Sequence, residues 1–247
     1  MSLPVIETPR YEAKIPSTGK KIQFRPYLVR EEKILMIAME SEDSKQILEA
    51  VKQLIRACTF EKVDPDKLCL FDLEYLFLKL RSKAVGEVAK IGLKCEKCGK
   101  PTDVEINLDK VEVDLVNKPS NKIKLTDTIG VTLSWPRVGN VQSLQDGNAI
   151  GITLAIDVIV SCIDSIYDAK SVHLAADQKP EELVAFVESL NQAQFTKIQE
   201  FIAAMPKLTH TVNFTCNHAE CVKKRAEEGL LPVDNVITLQ GMQSFFA

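Results

Sequence analysis

Two cysteine pairs constrain this chain more than any other feature: Cys95-Glu96-Lys97-Cys98-Gly99 and Cys216-Asn217-His218-Ala219-Glu220-Cys221. In the first, a two-residue gap lets the backbone curl around one ion, and the glycine admits the left-handed turn that follows. The second pair has four residues between its thiols, still within zinc-ligand spacing. Each pair ends an alternating segment. Ala89, Ile91, Leu93 and Cys95 alternate with Lys90 and Lys94, and Val104, Ile106 and Leu108 bring the chain back. Val212 and Phe214 lead into Cys216 in the same way, and Asn235 to Gln240 supplies the return after a longer excursion. The pattern predicts two hairpins with one buried face each, every hairpin carrying half of a site. Four thiolates at tetrahedral corners leave no position open to water or substrate. A zinc ion (Zn2+) on Cys95, Cys98, Cys216 and Cys221 is therefore expected to stabilise folding rather than to catalyse. His218, inside the second pair, is an alternative ligand in place of Cys216 or Cys221.

Two other readings compete. A C-x-x-C pair is also the thioredoxin-like redox motif, but that motif opens a helix, whereas here a second strand follows. The thiols also fit simple packing without metal. Cys58, Cys69 and Cys162 lie on or beside apolar helical faces and read as buried, inert thiols. The total of seven cysteines suits a reducing compartment, where disulfides do not persist.

The chain of 247 residues has a formal charge of -3 and a pI near 5.8, so it carries no overall positive field to hold a phosphate backbone. Met1 to Pro16 has no apolar run of signal-peptide length. The most apolar stretch, Ala149 to Ile163, is too short to span a bilayer and contains Asp157. No phosphate-binding glycine loop, zinc-protease motif or nucleophile elbow is present, and His173, His210 and His218 are the only histidines. These features predict a cytosolic protein without enzymatic activity, a membrane partner or a small-molecule substrate. Trp135 before Pro136 reads as core. Lys223-Lys224-Arg225 reads as a solvated face, and the tail with Met242, Phe245 and Phe246 either docks on its own core or enters a partner.

Around the hairpins the sequence predicts an α+β fold. Ile22 to Tyr27 reads as an extended segment and Val29 to Met39 as a helix. A second helix begins at Asp43 with Gln46 as its capping-box partner, and Asp72 is the expected cap of a third. Ile123–Leu125 and Val131–Trp135 read as strands. Asn148–Ile163, Glu181–Leu190 and Gln194–Met205 read as helices. The expected segments are 1–86, mainly helical; 87–140, the first hairpin and further strands; 141–206, a helical insertion; and 207–247, the second hairpin with its aromatic tail. The two hairpins together would form a zinc-ribbon-like unit.

The chain resembles the T4-like bacteriophage baseplate hub and hub-assembly family. In the first half the likeness rests on Leu3-Pro4, Pro16-Ser17, Phe24-Arg25-Pro26-Tyr27, Glu31-Glu32-Lys33, Phe71 to Phe77 and Arg81 to Glu87. In the second half it rests on Glu181-Glu182-Leu183, Phe186, Ser189-Leu190, Phe195, Ile198, Met205-Pro206, the second cysteine pair and Phe245-Phe246. The resemblance implies a tail protein at the centre of a contractile-tail baseplate, retained in the hub or promoting its assembly, with other tail and baseplate proteins as partners. It implies the host cytoplasm during assembly and the virion tail baseplate as locations. It carries over no catalytic residue, and the metal is argued from the cysteines themselves. The rival reading is a nucleic-acid-binding zinc-ribbon protein such as a phage transcription accessory factor, because Lys90, Lys94, Lys97 and Lys100 surround the first pair.

Overall fold

A computed structural model describes residues 6–96, 98–115, 119–140, 152–227, 234–241 and 244. The chain divides into two compact units. One comprises Met1–Val63, Glu74–Asp114 and Lys207–Ala247, and the other Asp64–Leu73 and Leu115–Pro206.

The first unit opens with an antiparallel hairpin of Tyr11–Lys14 (β1) and Lys21–Phe24 (β2). The sequence predicts only the second of these. Tyr-Glu-Ala-Lys has little strand propensity of its own, and β1 forms because β2 pairs with it across a turn that Gly19 closes at φ +71°. Helices Val29–Glu40 (α1) and Ser44–Cys58 (α2) follow. Asp43 caps α2: its Oδ1 accepts the Lys45 N–H at 2.9 Å and its Oδ2 accepts from Gln46 Nε2 at 3.1 Å. Val51, Leu54, Ile55 and Cys58 are buried on one helical stripe.

At the start of α1, Glu31 is buried and Oε2 accepts the Leu28 N–H at 2.7 Å. Its Oε1 accepts from Arg25 Nη2 at 3.0 Å and Arg30 Nε at 2.7 Å. Burial pushes this carboxyl up, but the hydrogen bonds from Arg25, Arg30 and the Leu28 amide outweigh it and hold the group at about 2.

Helix Leu70–Ala84 (α3) begins two residues before the expected cap. Asp72 thus stands inside the first turn, where a carboxylate suits the helix dipole. Strands Val88–Lys94 (β3) and Pro101–Asn107 (β4) form the first cysteine hairpin, and Glu112–Val113 is β5.

In the second unit, Lys122–Lys124 (β6) and Gly130–Leu133 (β7) pair antiparallel. Helix Ile152–Ser161 (α4) ends two residues short of the expected Ile163, and the expected residues 148–151 lie outside the described residues. Ile163–Tyr167 (β8) and Val172–Leu174 (β9) instead complete a sheet of order β6-β7-β8-β9. The sequence predicts helix alone here because the largely apolar stretch continues into Ile163. The pairing that turns the chain into a strand comes from β7, 30 or more positions earlier. Pro180–Glu188 (α5) and Gln192–Ala203 (α6) complete the unit. Asn191 and Gln194 form a reciprocal capping box at 2.9 and 3.0 Å. Trp135 is core, stacked on Phe201 with ring centroids 4.1 Å apart.

The chain then returns to the first unit as Leu208–Thr215 (β10), the short helix Ala219–Glu227 (α7) and Asp234–Gln240 (β11). β10 pairs with β11 from Thr209↔Gln240 to Thr215↔Asp234, and with β5 through Leu208↔Val113. The two cysteine hairpins belong to different sheets, β3-β4 and β11-β10-β5. One apolar cluster joins them, formed by Ile91, Leu93 and Ile106 from the first and Val212, Phe214 and Leu239 from the second.

Candidate metal centre

Strand periodicity delivers two of the sulfurs. Along β3, Ala89, Ile91 and Leu93 are buried while Val88, Lys90, Gly92 and Lys94 are exposed, and the next inward position is Cys95. Along β10 the inward positions Val212 and Phe214 lead to buried Cys216. Both cysteines continue an apolar face that the sheet has already turned inward.

Local turns supply the other two. The Cys95 N–H donates to the Lys100 carbonyl at 3.0 Å and the Gly99 N–H to the Cys95 carbonyl at 2.8 Å, with Gly99 at φ +68°. This closes the chain into a tight loop that points Cys98 back toward Cys95. On the other side the turn expected from the spacing is the first turn of α7. The Cys221 N–H donates to the His218 carbonyl at 2.9 Å, and helix geometry places the thiol.

All four sulfurs lie within 4.8 Å of one another, with Cys95 to Cys221 at 3.8 Å and Cys98 to Cys216 at 3.6 Å. A disulfide needs about 2.05 Å. Thiolates on a tetrahedral zinc at about 2.3 Å stand about 3.8 Å apart, so the separations suit four ligands around one ion. Cys95, Cys216 and Cys221 are buried and Cys98 half-buried. The Lys100 amide pulls the Cys98 thiol down, but desolvation and the thiols of Cys216, Cys95 and Cys221 carry it up to about 11. Four sulfurs this close resist ionising together unless a cation offsets their charge.

Three further links hold the halves in register. The Glu96 N–H donates to Asn235 Oδ1 at 3.2 Å, and Asn235 Nδ2 donates to the Phe214 carbonyl at 3.4 Å. His218 Nε2 donates to the Pro101 carbonyl at 2.8 Å, which directs one ring nitrogen at the backbone; the four sulfurs form a complete ligand set without it. On the surface Lys100 pairs with Glu220 at 3.0 Å. Asn235 carries no sequence signal of its own, and only its position opposite Phe214 in the β10-β11 register marks it.

The remaining cysteines stand apart from this group. Burial pushes Cys58 and Cys162 up to about 11 each, as expected of inert core thiols, and Cys69 is half-buried. Of the lysines near the first pair, Lys90 meets Glu105 at 3.5 Å and Lys100 meets Glu220, which leaves less free charge for a phosphate backbone than the sequence suggests. Lys97 and the tail residues Met242, Phe245 and Phe246 lie outside the described residues.

Asp168, Ser171 and His173 come together on the exposed β8-β9 turn. Ser171 Oγ and Asp168 Oδ2 both face His173 Nε2, at 3.0 and 3.6 Å, whereas a catalytic relay needs the carboxylate on the opposite ring nitrogen. Asp168 Oδ1 accepts the Lys170 and Ser171 N–H groups and so closes the turn.

Among the described residues no helix is long and apolar enough to cross a membrane. In comparisons with known proteins, the family model described as T4 bacteriophage base plate protein matches residues 8–247. No curated protein and no solved structure matches the chain.

Proposed function

The chain belongs to the T4 bacteriophage base plate protein family, and from that premise we propose that it is a structural or assembly protein of the central hub of a contractile-tail baseplate. A zinc ion on Cys95, Cys98, Cys216 and Cys221 would hold its two hairpins together as a zinc-ribbon-like unit. The observation that carries the metal part is the sulfur geometry, with four thiols from two distant segments inside 4.8 Å. The family match over residues 8–247 supports the baseplate part.

In this reading the protein works by rigid display of surfaces to other tail and baseplate proteins, with no turnover and no small-molecule substrate. It acts in the host cytoplasm during assembly and in the virion tail. On α1, Val29, Met36 and Ile37 are 79%, 56% and 57% exposed at spacings of seven and one. They form the kind of apolar helix face that subunit assembly covers. The nucleic-acid alternative predicts salt-dependent DNA binding, and the ion pairs of Lys90 and Lys100 weigh against it.

The decisive experiment is affinity purification of the tagged protein from infected cells, followed by mass spectrometry. Tail and baseplate proteins should copurify, and elemental analysis should return one zinc per chain. Recovery of polymerase or DNA without tail proteins would overturn the assembly reading. A folded protein without zinc would overturn the metal reading.

A further inference from the structure

A cleft of about 460 Å³ in the first unit lies between the β1-β2 hairpin and α3, well away in sequence from the cysteines. Tyr75, Lys79 and Lys83 reach it from one face of α3 at successive spacings of four. Four consecutive residues of β1, Tyr11 to Lys14, line it too. Side chains of a strand alternate between faces, so contact with four in a row reaches the edge of β1 as well as the face it shares with Lys21 and Phe24 of β2. Among the described residues β1 pairs with β2 alone, and its outer edge has no strand beside it. Such an edge offers backbone donors and acceptors to an incoming strand.

The charges of the cleft are unbalanced. Asp109 and Glu87 match the two helix lysines, which leaves Lys14 and Lys21 with Glu12 as the only carboxylate left in the lining, one positive charge in excess. The helix lysines already have carboxylate partners: Asp109 Oδ2 accepts from Lys83 Nζ at 2.6 Å and Glu87 Oε1 from the same Nζ at 2.5 Å, while Asp109 Oδ1 is 4.0 Å from Lys79 Nζ and the Asp109 carbonyl accepts from Lys79 at 2.8 Å. Burial lowers Lys79 in spite of the opposing charges of Asp109 and Glu112. Lys14 and Lys21 are directly opposed in the β1-β2 register, an unfavourable arrangement for like charges. Neither has an ion-pair partner among the described residues. Aromatic faces complete the lining, with Lys79 Nζ 5.2 Å from the Tyr75 ring and Lys83 Nζ 5.6 Å from the Tyr11 ring.

We propose that this cleft receives an extended, carboxylate-rich segment of a partner protein, laid along the free edge of β1 with its acidic side chains on Lys14 and Lys21. The size suits a few side chains, as recognition pockets of this class require. The carboxylates inside the cleft and the net charge of -3 favour a peptide over a nucleic-acid strand, which would bring a charge at every residue. The site is independent of the sulfur cluster.

The test uses the full chain and a fluorescent eight-residue peptide alternating Glu or Asp with Val. Its Gln/Asn counterpart, a ten-residue oligothymidylate and inorganic phosphate serve as competitors. The acidic peptide should bind at least tenfold more tightly than its amide counterpart and lose affinity as salt rises. Lys14→Glu and Lys21→Gln should each weaken it about fivefold or more. Both variants should melt no lower than the parent, because each relieves the Lys14 and Lys21 repulsion, so lost binding is not lost folding. Equal binding of the two peptides, no binding, or displacement by the oligonucleotide or phosphate at lower concentration than by unlabelled peptide would overturn the proposal. Zinc content is unaffected by any of these outcomes, so failure here leaves the metal and hub readings to their own tests.

Discussion

Cys95 Sγ lies 3.8 Å from Cys221 Sγ although 126 positions separate the two residues. A metal across that gap couples folding of the first hairpin to folding of the last segment, since ligand affinity becomes folding free energy. Cys95→Ser or Cys221→Ser should therefore reduce zinc from one equivalent to a small fraction. With a loss of roughly 3–5 kcal/mol, the melting temperature should fall by about 10 °C. Elemental analysis and calorimetry check both, and a metal-free variant melting like the parent would refute the coupling.

Asn235 separates site support from ligation. It is buried, accepts from Glu96 in the first loop and donates to Phe214 on β10. Asn235→Ala should keep one zinc per chain but weaken zinc affinity by about 10- to 100-fold, the usual effect of losing a supporting hydrogen bond. Competition with a chromophoric chelator reads this directly. Unchanged affinity would show that the sulfurs are oriented without Asn235.

Stability at acid pH should report Glu31. Its folded value of about 2 lies below the usual carboxylate range, so its contribution is complete above about pH 5 and fades as pH falls toward 2. The amount at stake is on the order of 3 kcal/mol. Urea unfolding at a series of pH values should show this decline in the parent. Glu31→Gln should flatten it and lower stability at neutral pH, because Arg25 is left buried without its partner.

Gly130 occupies a position on β7 with no room for a side chain. A Cβ there would lie 2.2 Å from Tyr167 Oη and 2.7 Å from the Ile123 carbonyl. Tyr167 can swing away, but the backbone of β6 is fixed by pairing. Gly130→Ala should cost about 1–3 kcal/mol, and adding Tyr167→Ala should not restore it. Thermal melts of both variants decide between the backbone and the ring as the obstacle.

Local pattern carried much of this protein into view. The spacing of apolar residues located α1, α2 and the two cysteine hairpins, and the phase of β3 and β10 placed Cys95 and Cys216 on buried faces. These signals survive without tertiary information because each is a property of neighbouring residues: a period of two or 3.6, a cap, a glycine where the backbone turns left-handed. Strands β1, β5, β8 and β9 were invisible for the complementary reason. Their residues have weak or mixed preferences, and what makes them strands is a hydrogen-bonding partner elsewhere in the chain. The helix that carries Cys221, the hydrogen bonds of Asn235 and the shared carboxylate of Asp109 belong to the same class. The sequence by itself determined which cysteines could act together and which faces would be buried. Only the tertiary structure decided that the four sulfurs meet and that the Lys14–Lys21 end of the β1-β2 hairpin faces α3 across a cleft, because both depend on long-range packing that brings together residues far apart in the chain.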